Sequence, residues 1–571
     1  MSLSNDLLKI YDNYHMDESY ASKMVPVGFC LKKMDVEVRL NIDGDLVDFV
    51  QRPKDQDWTT LTPATVESVY RSSSKSAPFP VFDQVKYLAN GFGKTYHEDY
   101  MSLLEDLVKE SDYPPLKAVY RYLCKGKLED DLGVWKDFGD KTPKLNLRFC
   151  VIGSQVPKFW EAPVFVDAWQ TYLAAHMEKQ EGIDWVSGES RNDLIRKHPK
   201  VLGNAKLYSS NDSEEYTFRG NVFTDPNQLP QISFKSSQKI HSALRWLLDT
   251  HAIRLSSDKE RYLIVFDQEN KRTNELVSAL FGDSKISMTD YFSSTLETLN
   301  FGKVSKIPTS ILIVDKTTSS TGRLSIVDYR KIDTDAFYQS IADWHHRCRF
   351  GTFSPSLKQI VSCAYGTEIE KKGKTILSVD GQMFTQQLTR LFECVLKGQS
   401  IPSDIQKRLI RNASTPYRFQ SDSKTGRRYH WERTMDVACA VINQSKGGDM
   451  MKLDHTCTDR SYLWGRLLAI SEKMEVDTYD ANQKGRVPSA IRFWDAYRQR
   501  PLATYETIKR KLIPYSNVLR SKEHLVFYDQ IISEIFSLLP DGDQNKPLGE
   551  NYLLGYRLQK NELYAKKEEH K

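Results

Sequence analysis

The sequence predicts an α+β fold, in which a mixed strand/helix N-terminal part is followed by an all-α C-terminal helical bundle. Apolar residues alternate with polar ones only before about residue 380, and after it they recur three or four positions apart. The strands and helices of the first part do not follow a regular βαβα order, which argues against a doubly wound sheet. These patterns divide the chain into a mixed part at 1–375, a basic helical connector at 376–450 and a C-terminal helical bundle at 451–571.

The strand signals of the mixed part predict two hairpins. In the segment 36–50, apolar and charged residues alternate on one side of the turn-forming Asp43-Gly44, and an apolar run follows on the other. Other β-rich runs, two of which predict the second hairpin, lie at 263–266, 310–314 and 324–329. Helical spacing is found at 98–111, 163–179, 236–250 and 335–347.

The part of the chain after residue 380 has the apolar spacing of helices at 382–396, 403–412, 431–444, 460–474, 490–498, 504–512, 525–539 and 552–566. Prolines stand between the later segments, where they end helices and begin connections. The last 120 or so residues therefore predict an antiparallel helical bundle with short loops.

Composition places the chain among soluble globular proteins. Of its 571 residues, 40% are hydrophobic and 27% are charged, and no apolar run approaches the ~18 residues of a membrane helix. The N-terminal segment lacks the basic and apolar regions of a secretory signal, so we expect a cytoplasmic protein without a membrane partner. Eight cysteines without a C-x-x-C spacing predict neither a disulfide framework nor a zinc site, and no metal or other cofactor is expected.

Motifs that would indicate an enzyme fail on inspection. Gly93-Lys94-Thr95 resembles the end of a P-loop, but Leu88 stands where that loop requires its first glycine. The segment His345–Cys348 is the nearest approach to a metal cluster, yet adjacent helical residues point in different directions, which favours partly buried histidines. The segment 540–546 carries carboxylates and a lysine between two predicted helices, which favours a turn. We therefore predict no catalytic residues.

Two segments of the predicted helical region concentrate positive charge, although the whole chain carries a net charge of only +5. The first basic segment (406–433) holds eight Lys and Arg against two carboxylates, and the second basic segment (484–522) holds ten against two. Such strips bind nucleic-acid phosphates, and the aromatic residues within the first can stack on unpaired bases. A solvated helix face is the alternative for either segment. The candidate backbone contacts are Lys407, Arg408, Arg411, Arg427, Arg428, Arg492, Arg498, Lys509, Arg510 and Lys511.

A serine-rich loop in the N-terminal part is a third candidate. Arg71 and Lys75 flank Ser72, Ser73 and Ser74, an arrangement that can place hydroxyls and two cations in a groove. A plain surface turn is the alternative for this loop.

Several segments in chain order resemble the Csd-type large subunit of the type I-C CRISPR interference complex, Cascade. They begin with Pro26–Phe29 and the Arg71–Lys75 loop and end with Ser461–Arg466 and Tyr552–Gln559. Gly322–Ile326 follows the strongest stretch, whose family-motif residues are Asn204, Lys206, Arg219, Gln238, Lys239, His241 and Trp246. The set covers nearly the whole chain. Family members usually carry a glycine in the loop where this chain has serines.

The resemblance implies a non-catalytic DNA-binding subunit. It implies that the N-terminal part recognises the protospacer-adjacent motif in duplex DNA, with the Arg71–Lys75 loop as the candidate contact, while guide RNA reads the sequence by base pairing. It implies further that the C-terminal bundle lines the path of the displaced strand, stabilises the R-loop and helps recruit the helicase-nuclease in antiviral defence. Other implied partners are the backbone and RNA-processing subunits and a small helical subunit. A metal-dependent nuclease with dispersed ligands is the alternative function.

The resemblance also implies a separate small subunit, made by internal translation of the C-terminal region. Codons for Lys446–Asp449 can contain a purine-rich ribosome-binding sequence, and Met450 and Met451 follow at a suitable distance. We expect a start at Met451, or at Met450, and a product of about 121 residues that ends at Lys571. A coincidental Gly-Gly turn before a helix is the alternative.

Overall fold

A computed structural model of the chain describes residues 2–14, 24–69, 71, 76–92, 94–208, 231–256, 259–267, 272–283, 308–316, 324–422, 425–448, 450–480, 485–521 and 524–565. The chain forms two compact units. The N-terminal unit comprises Met1–Ala252 with Val314–Val327, and the C-terminal unit comprises Ile253–Ile313 with Asp328–Lys571. Within the described residues, no helix is both long enough and apolar enough to cross a membrane.

The N-terminal unit contains several small sheets built from β1 (Phe29–Lys33), β2 (Val36–Leu40), β3 (Leu46–Gln51), β4 (Thr59–Pro63), β5 (Leu147–Val151), β6 (Gly182–Ile183), β7 (Ser190–Arg191), β8 (Leu194–Ile195), β9 (Lys200–Leu202), β10 (Ala205–Lys206) and β11 (Ile232–Ser233). The hairpin predicted at 36–50 is confirmed as β2–β3, and the buried β5 runs parallel to β2 on its other side. The turn requires glycine at position 44, since its φ is 84° and a Cβ there would also lie 2.6 Å from the carbonyl oxygen of Ala118.

The helices of this unit are α1 (Leu3–Tyr14), α2 (Val66–Val69), α3 (Val85–Leu88), α4 (Lys94–Glu110), α5 (Pro114–Cys124), α6 (Leu128–Trp135), α7 (Pro163–His176) and α8 (Phe234–Thr250). The helices predicted at 98–111, 163–179 and 236–250 are confirmed as α4, α7 and α8. Trp169 of α7 and Tyr100 of α4 are fully buried in one hydrophobic core with Val38 and Phe149 of the β2–β5 sheet. Ser233 caps the N-terminus of α8, because its hydroxyl accepts a hydrogen bond from the backbone N–H of Ser236.

A four-stranded sheet precedes the helical region, in the order β12 (Ala252–Arg254), β13 (Glu260–Phe266), β14 (Thr309–Lys316) and β15 (Ser325–Ile332). Strands β14 and β15 are neighbours in this sheet, as the second predicted hairpin requires, and the predicted connection between them lies outside the described residues. A further hairpin, β16 (Thr367–Lys371) with β17 (Lys374–Ser378), was not predicted. Its turn residues Lys372 and Gly373 both have positive φ, at 51° and 72°, as a tight two-residue turn requires. β17 extends past residue 376, where the connector was predicted to begin.

The helices of the C-terminal unit are α9 (Arg272–Phe281), α10 (Thr334–Arg347), α11 (Leu357–Tyr365), α12 (Gly381–Leu396), α13 (Ser403–Ala413), α14 (Tyr429–Ser445), α15 (Arg460–Val476), α16 (Ser489–Arg492), α17 (Trp494–Gln499), α18 (Pro501–Leu512), α19 (Ser516–Ser521), α20 (His524–Leu538) and α21 (Asn551–Ala565). After β17 the described residues contain no strand. The segment predicted as one helix at 490–498 forms α16 and α17, since Phe493 departs from helical geometry between them with φ −98° and ψ 13°. The boundaries at 375 and 450 remain predictions.

Candidate nucleic-acid interface

Helix α13 carries the start of the first basic segment and presents its cations on one face. The apolar side of the helix is buried, whereas Lys407, Arg408 and Arg411 are exposed. Burial lowers the pKa of the nearby Arg418, and the positive charges of Arg411 and Arg408 lower it further. The guanidinium of Arg408 also lies 4.7 Å from the ring centroid of Tyr365. The face of α13 therefore combines like charges with an aromatic ring, as a surface that binds phosphates would.

The two basic segments meet where one backbone approaches another. Gly426 has φ 68°, and a Cβ there would lie 2.7 Å from the carbonyl oxygen of Gly485. The loop before α14 therefore lies directly on the loop before α16, and glycine permits this approach. The contact brings Arg427 and Arg428 of the first segment close to Arg486 of the second.

These three arginines line a pocket of about 620 Å³, which we call the aromatic–basic pocket. Five cations, two carboxylates and three aromatic rings contribute to its wall: Arg427, Arg428, Arg486, Arg557, Lys560, Glu432, Glu472, Trp431, Tyr479 and Tyr564. Its volume lies within the ~300–1,000 Å³ of small-molecule sites. The pocket has positive charge for a phosphate and ring faces for a base in the same place.

Carboxylates hold three of the five cations in the pocket wall. The contacts join Arg427 to Glu432, Arg557 Nε to Asp436 Oδ1 at 2.6 Å, and Lys560 Nζ to Glu472 Oε1 at 2.7 Å. Burial tends to lower the pKa of Arg557, but Asp436 outweighs burial and leaves that pKa above its ordinary value. These carboxylates therefore fix the orientation of the three cationic side chains in the pocket wall.

The other two cations, Arg428 and Arg486, have no ion pair with a carboxylate among the described residues. Arg428 donates to the backbone oxygen of Phe419 and lies 4.9 Å from the ring centroid of Tyr417, while its buried Nε has no hydrogen-bond partner in the described part of the chain. Arg486 is exposed and lies 5.8 Å from the ring centroid of Tyr479. Both guanidinium groups keep donors for an incoming phosphate.

None of the five candidates predicted from the second basic segment lines this pocket, and Arg486, which does, was not among them. Arg492 Nη2 lies 3.8 Å from Glu475 Oε1, and Arg498 is half-buried on α17. Lys509, Arg510 and Lys511 are exposed in the last turn of α18, where the helix dipole favours cations. Stabilisation of the helix end is thus sufficient to explain why cations occur at these three positions.

The guanidinium of Arg71 forms an ion pair inside the N-terminal unit. Its two terminal nitrogens each lie 2.6 Å from an oxygen of Asp83, and its guanidinium lies 4.3 Å from the ring centroid of Tyr87. Asp83 is fully buried and also accepts from the backbone N–H of Phe79. Arg71 therefore anchors the start of the serine-rich loop. Ser72, Ser73, Ser74 and Lys75 lie outside the described residues.

The family-motif residues of the N-terminal unit gather around α8. Asn204 forms the turn between β9 and β10 and accepts a hydrogen bond from Lys200, and Lys206 lies on β10. Gln238, Lys239, His241 and Trp246 all belong to α8, where Lys239 pairs with Asp12 and the Trp246 ring lies 5.3 Å from that of Tyr14. His241 is buried and its Nδ1 lies 2.7 Å from the backbone oxygen of Ser237. Arg219 lies outside the described residues.

The two C-terminal motifs form one packing contact within the bundle. A Cβ on Gly465 of α15 would lie 2.0 Å from the carbonyl oxygen of Tyr552, and one on Gly555 of α21 would lie 2.0 Å from that of Tyr462. Arg466 is fully buried and donates to Gln559 over 2.9 Å. These residues hold α15 and α21 together, whereas Arg557 of the second motif lines the aromatic–basic pocket.

The described residues contain no group of three or more His, Cys, Asp and Glu side chains placed to hold a metal ion. His345 is buried and its pKa is lowered to about 4, chiefly by burial, whereas the adjacent His346 is exposed. The side chains of these two histidines therefore lie in different environments, one in the core and one at the surface.

Sequence reasoning missed half of the aromatic–basic pocket. The pocket residues that were not among the candidates are Tyr479, Arg486, Arg557, Lys560 and Tyr564. The last three lie on α21, whose apolar spacing is that of a core helix and whose polar residues form no charge cluster. The one available signal was the motif Tyr552–Gln559, which contains Arg557.

None of the curated proteins compared matches the chain. The family described as "CRISPR-associated protein (Cas_Csd1)" matches residues 7–564, which is nearly the whole sequence and includes both compact units. The chain therefore belongs to the Cas_Csd1 family of CRISPR-associated large subunits.

Proposed function

We propose that this chain is the non-catalytic DNA-binding large subunit of a type I-C Cascade complex. Family membership makes it a CRISPR-associated Cascade component. In the proposed role it recognises the protospacer-adjacent motif, stabilises the R-loop and helps recruit the helicase-nuclease. Its partners are guide RNA, target DNA, the backbone and RNA-processing subunits and a small helical subunit. The observation that carries the proposal is the aromatic–basic pocket, where both basic segments meet.

The chemistry of that pocket favours an opened strand over a duplex. In a duplex the bases are stacked on one another, so ring faces such as those of Tyr479 and Tyr564 have no base to receive. In the displaced strand of an R-loop the bases are unpaired, and Arg428 and Arg486 can contact phosphates beside them. Binding here would be independent of sequence, as stabilisation of a displaced strand requires.

The serine-rich loop is the proposed contact with duplex DNA. The Arg71–Asp83 ion pair supports this role, because it fixes the first residue of the loop to the buried core of the N-terminal unit. Arg71 then acts by positioning the loop, and Ser73 and Lys75 are the proposed contacts. Replacing Ser73 and Lys75 should impair binding of duplex targets more than binding of targets with a pre-opened strand.

Charge neutralisation in the pocket tests the proposal. We expect the double variant Arg428→Gln/Arg486→Gln to bind single-stranded DNA at least tenfold more weakly. The slope of log affinity against log salt should also fall in magnitude by about 0.7 for each lost phosphate contact. Lys371→Gln is the matched control, since Lys371 is exposed on β16 in the same unit. An unchanged affinity and slope in the double variant would refute the proposed site.

A cleavage assay on the purified chain distinguishes a scaffold from a nuclease. The proposal predicts no magnesium-dependent cleavage of single-stranded or duplex DNA by the purified chain. Cleavage that disappears when one carboxylate is replaced by its amide would establish the nuclease alternative and end the scaffold proposal.

The internal start at Met451 is a second part of the proposal. Met451 lies in the connection between α14 and α15, so a product that begins there keeps every later helix intact. Gly447 and Gly448 have φ 96° and 93°, and Gly448 donates to the backbone oxygen of Asn443, so they also end α14. Synonymous recoding of Gly447-Gly448 separates these roles: we expect loss of the short C-terminally tagged product with full-length protein unchanged. Persistence of that product would contradict the internal start.

A further inference from the structure

A second pocket, of about 260 Å³, lies within the N-terminal unit. We call it the α8 pocket, because Gln238, His241, Ser242 and Arg245 of that helix form one wall. The other walls come from β1, from the segment 199–203 around β9, and from Val25, Val69 and Phe79. Segments that are far apart in sequence, including two of the family-motif stretches, thus converge on one small space.

Three cations from three different elements line this pocket. They are Lys32 of β1, Lys200 of β9 and Arg245 of α8, and no carboxylate lines the pocket among the described residues. Arg245 donates to the backbone oxygen of Lys200, and Lys200 Nζ lies 3.2 Å from Asn204 Oδ1. Neither of these acceptors carries a formal charge. The gathered positive charge is therefore not neutralised by the lining residues that the structure describes.

Lys32 is the most strongly constrained of the three cations. Its side chain is only 15% exposed and its Nζ lies 3.9 Å from the ring centroid of Phe79. Burial lowers the pKa of Lys32, and Arg71 lowers it further, although Asp83 opposes both effects. Asp83 Oδ1 is 3.4 Å from Lys32 Nζ, but its two oxygens are already held by Arg71 at 2.6 Å. An anion in the pocket would stabilise the charged form of this lysine.

Neutral polar groups complete the pocket wall. Gln238 offers an amide, and Ser242 bonds the backbone of Val25 through its hydroxyl. The Nδ1 of His241 faces the carbonyl oxygen of Ser237 and so carries its proton, and the pKa of His241 is lowered to about 4 by burial, with Arg245 and Lys206 contributing. The imidazole is thus neutral at pH 7 and adds no competing charge. The Nε2 of His241 has no hydrogen-bond partner in the described part of the chain.

We propose that the α8 pocket binds one phosphate group of a nucleic-acid strand through Lys32, Lys200 and Arg245. Three cations that line one pocket without a lining carboxylate favour an anionic phosphodiester over any neutral ligand. The volume is below the usual range for a drug-sized ligand, which suits a phosphate with part of its sugar. The inference rests on the proposed function only in taking nucleic acid as the source of the phosphate. The strand is either guide RNA or target DNA, which share this chemistry.

Lysine footprinting of the full chain tests the proposal without any substitution. The chain is acetylated alone, with single-stranded guide RNA, with target DNA or with orthophosphate, and modification of each lysine is measured by mass spectrometry. Lys197 is the internal control, since it is exposed three residues before Lys200. We expect Lys200 to be protected at least fivefold more than Lys197 by one nucleic acid, which identifies the strand. Equal protection of both lysines, no protection of Lys200, or protection by orthophosphate alone would overturn the proposal.

A double variant provides the second measurement. Lys200→Gln/Arg245→Gln should reduce the salt slope for the protecting strand by about 0.7 if that strand is single. Lys197→Gln should leave the slope unchanged, and equal melting temperatures of the variants exclude misfolding as the cause. An unchanged slope in the double variant would contradict the proposal. Arg428→Gln/Arg486→Gln should still show protection of Lys200, so failure of the C-terminal site and failure of this one are distinguishable.

Discussion

At the residue scale, Arg71 and Arg428 show how burial separates cations that look alike in the sequence. Arg71 was a candidate as one end of the serine-rich loop, and Arg428 was a candidate because it lies in the first basic segment. Arg71 is 14% exposed and both of its terminal nitrogens donate to Asp83, whereas Arg428 keeps a buried nitrogen without a partner among the described residues. Because Asp83 lies twelve residues beyond Arg71, no local count could reveal the pairing.

Two buried histidines predict a pH dependence of stability at this same scale. Burial lowers the pKa of His198 to about 3 and that of His241 to about 4. Both imidazoles are therefore neutral in the folded chain at pH 7, whereas in the unfolded chain each has its ordinary pKa of about 6.5. The contribution of these histidines to the free energy of unfolding is fully present above pH 6.5. It falls as the pH drops from about 6.5 towards 4, by at most ~1.4 kcal/mol per pH unit for each histidine.

Urea unfolding at pH 7 and pH 5 checks this expectation. His198→Gln/His241→Gln should show a smaller loss of unfolding free energy between the two pH values than the unsubstituted chain. His176→Gln is the control, because His176 is about half-exposed. The account of the histidines is wrong if the double variant and the unsubstituted chain lose stability equally.

At the element scale, helices were predicted well where one face is apolar and poorly where the chain breaks within a helical pattern. The exposed cations and buried apolar face of α13 are visible in its spacing, so its bounds were found. The split at Phe493 follows from backbone dihedrals that no periodicity encodes. The β16–β17 hairpin was missed because β16 is largely exposed and charged and β17 is mostly half-buried, which leaves a weak alternation of apolar residues.

The crossing of α15 and α21 yields a prediction at the element scale. Gly465→Ala and Gly555→Ala each place a Cβ 2.0 Å from a backbone carbonyl oxygen of the other helix, which cannot move without displacing that helix. We expect each substitution to lower the free energy of unfolding by about 3 kcal/mol. Gly549→Ala, whose Cβ meets only Ser461 Oγ at 3.5 Å, should change it by less than about 1 kcal/mol. A near-neutral Gly465→Ala would show that the helices do not pack this closely.

At the scale of the whole molecule, the position of Met451 divides the aromatic–basic pocket. Residues 425–432 supply Arg427, Arg428 and Trp431, whereas the wall from Glu472 onwards lies after Met451. Charge counting identified the first half because its cations are clustered. The second half comes from helices whose pocket residues are scattered along the chain, so tertiary structure was needed to find it.

A product of residues 451–571 would therefore have an incomplete pocket. It loses Arg428 and Trp431, and Arg557 loses its partner Asp436. We expect this product to bind single-stranded DNA at least tenfold more weakly than the full chain when the two are compared at equal salt. Fluorescence anisotropy with one labelled oligonucleotide measures both affinities. Equal affinities would show that residues 425–432 are dispensable for strand binding.

Photo-crosslinking in the assembled, DNA-bound complex tests most directly whether the aromatic–basic pocket receives the opened strand. 5-Iodouracil is placed at successive positions of the displaced strand, and the crosslinked peptides are identified by mass spectrometry. The account predicts adducts at Trp431, Tyr479 or Tyr564 from a limited run of positions, and their loss in the Arg428→Gln/Arg486→Gln variant. Adducts on other peptides of this chain, with none at these three rings from any position, would contradict it.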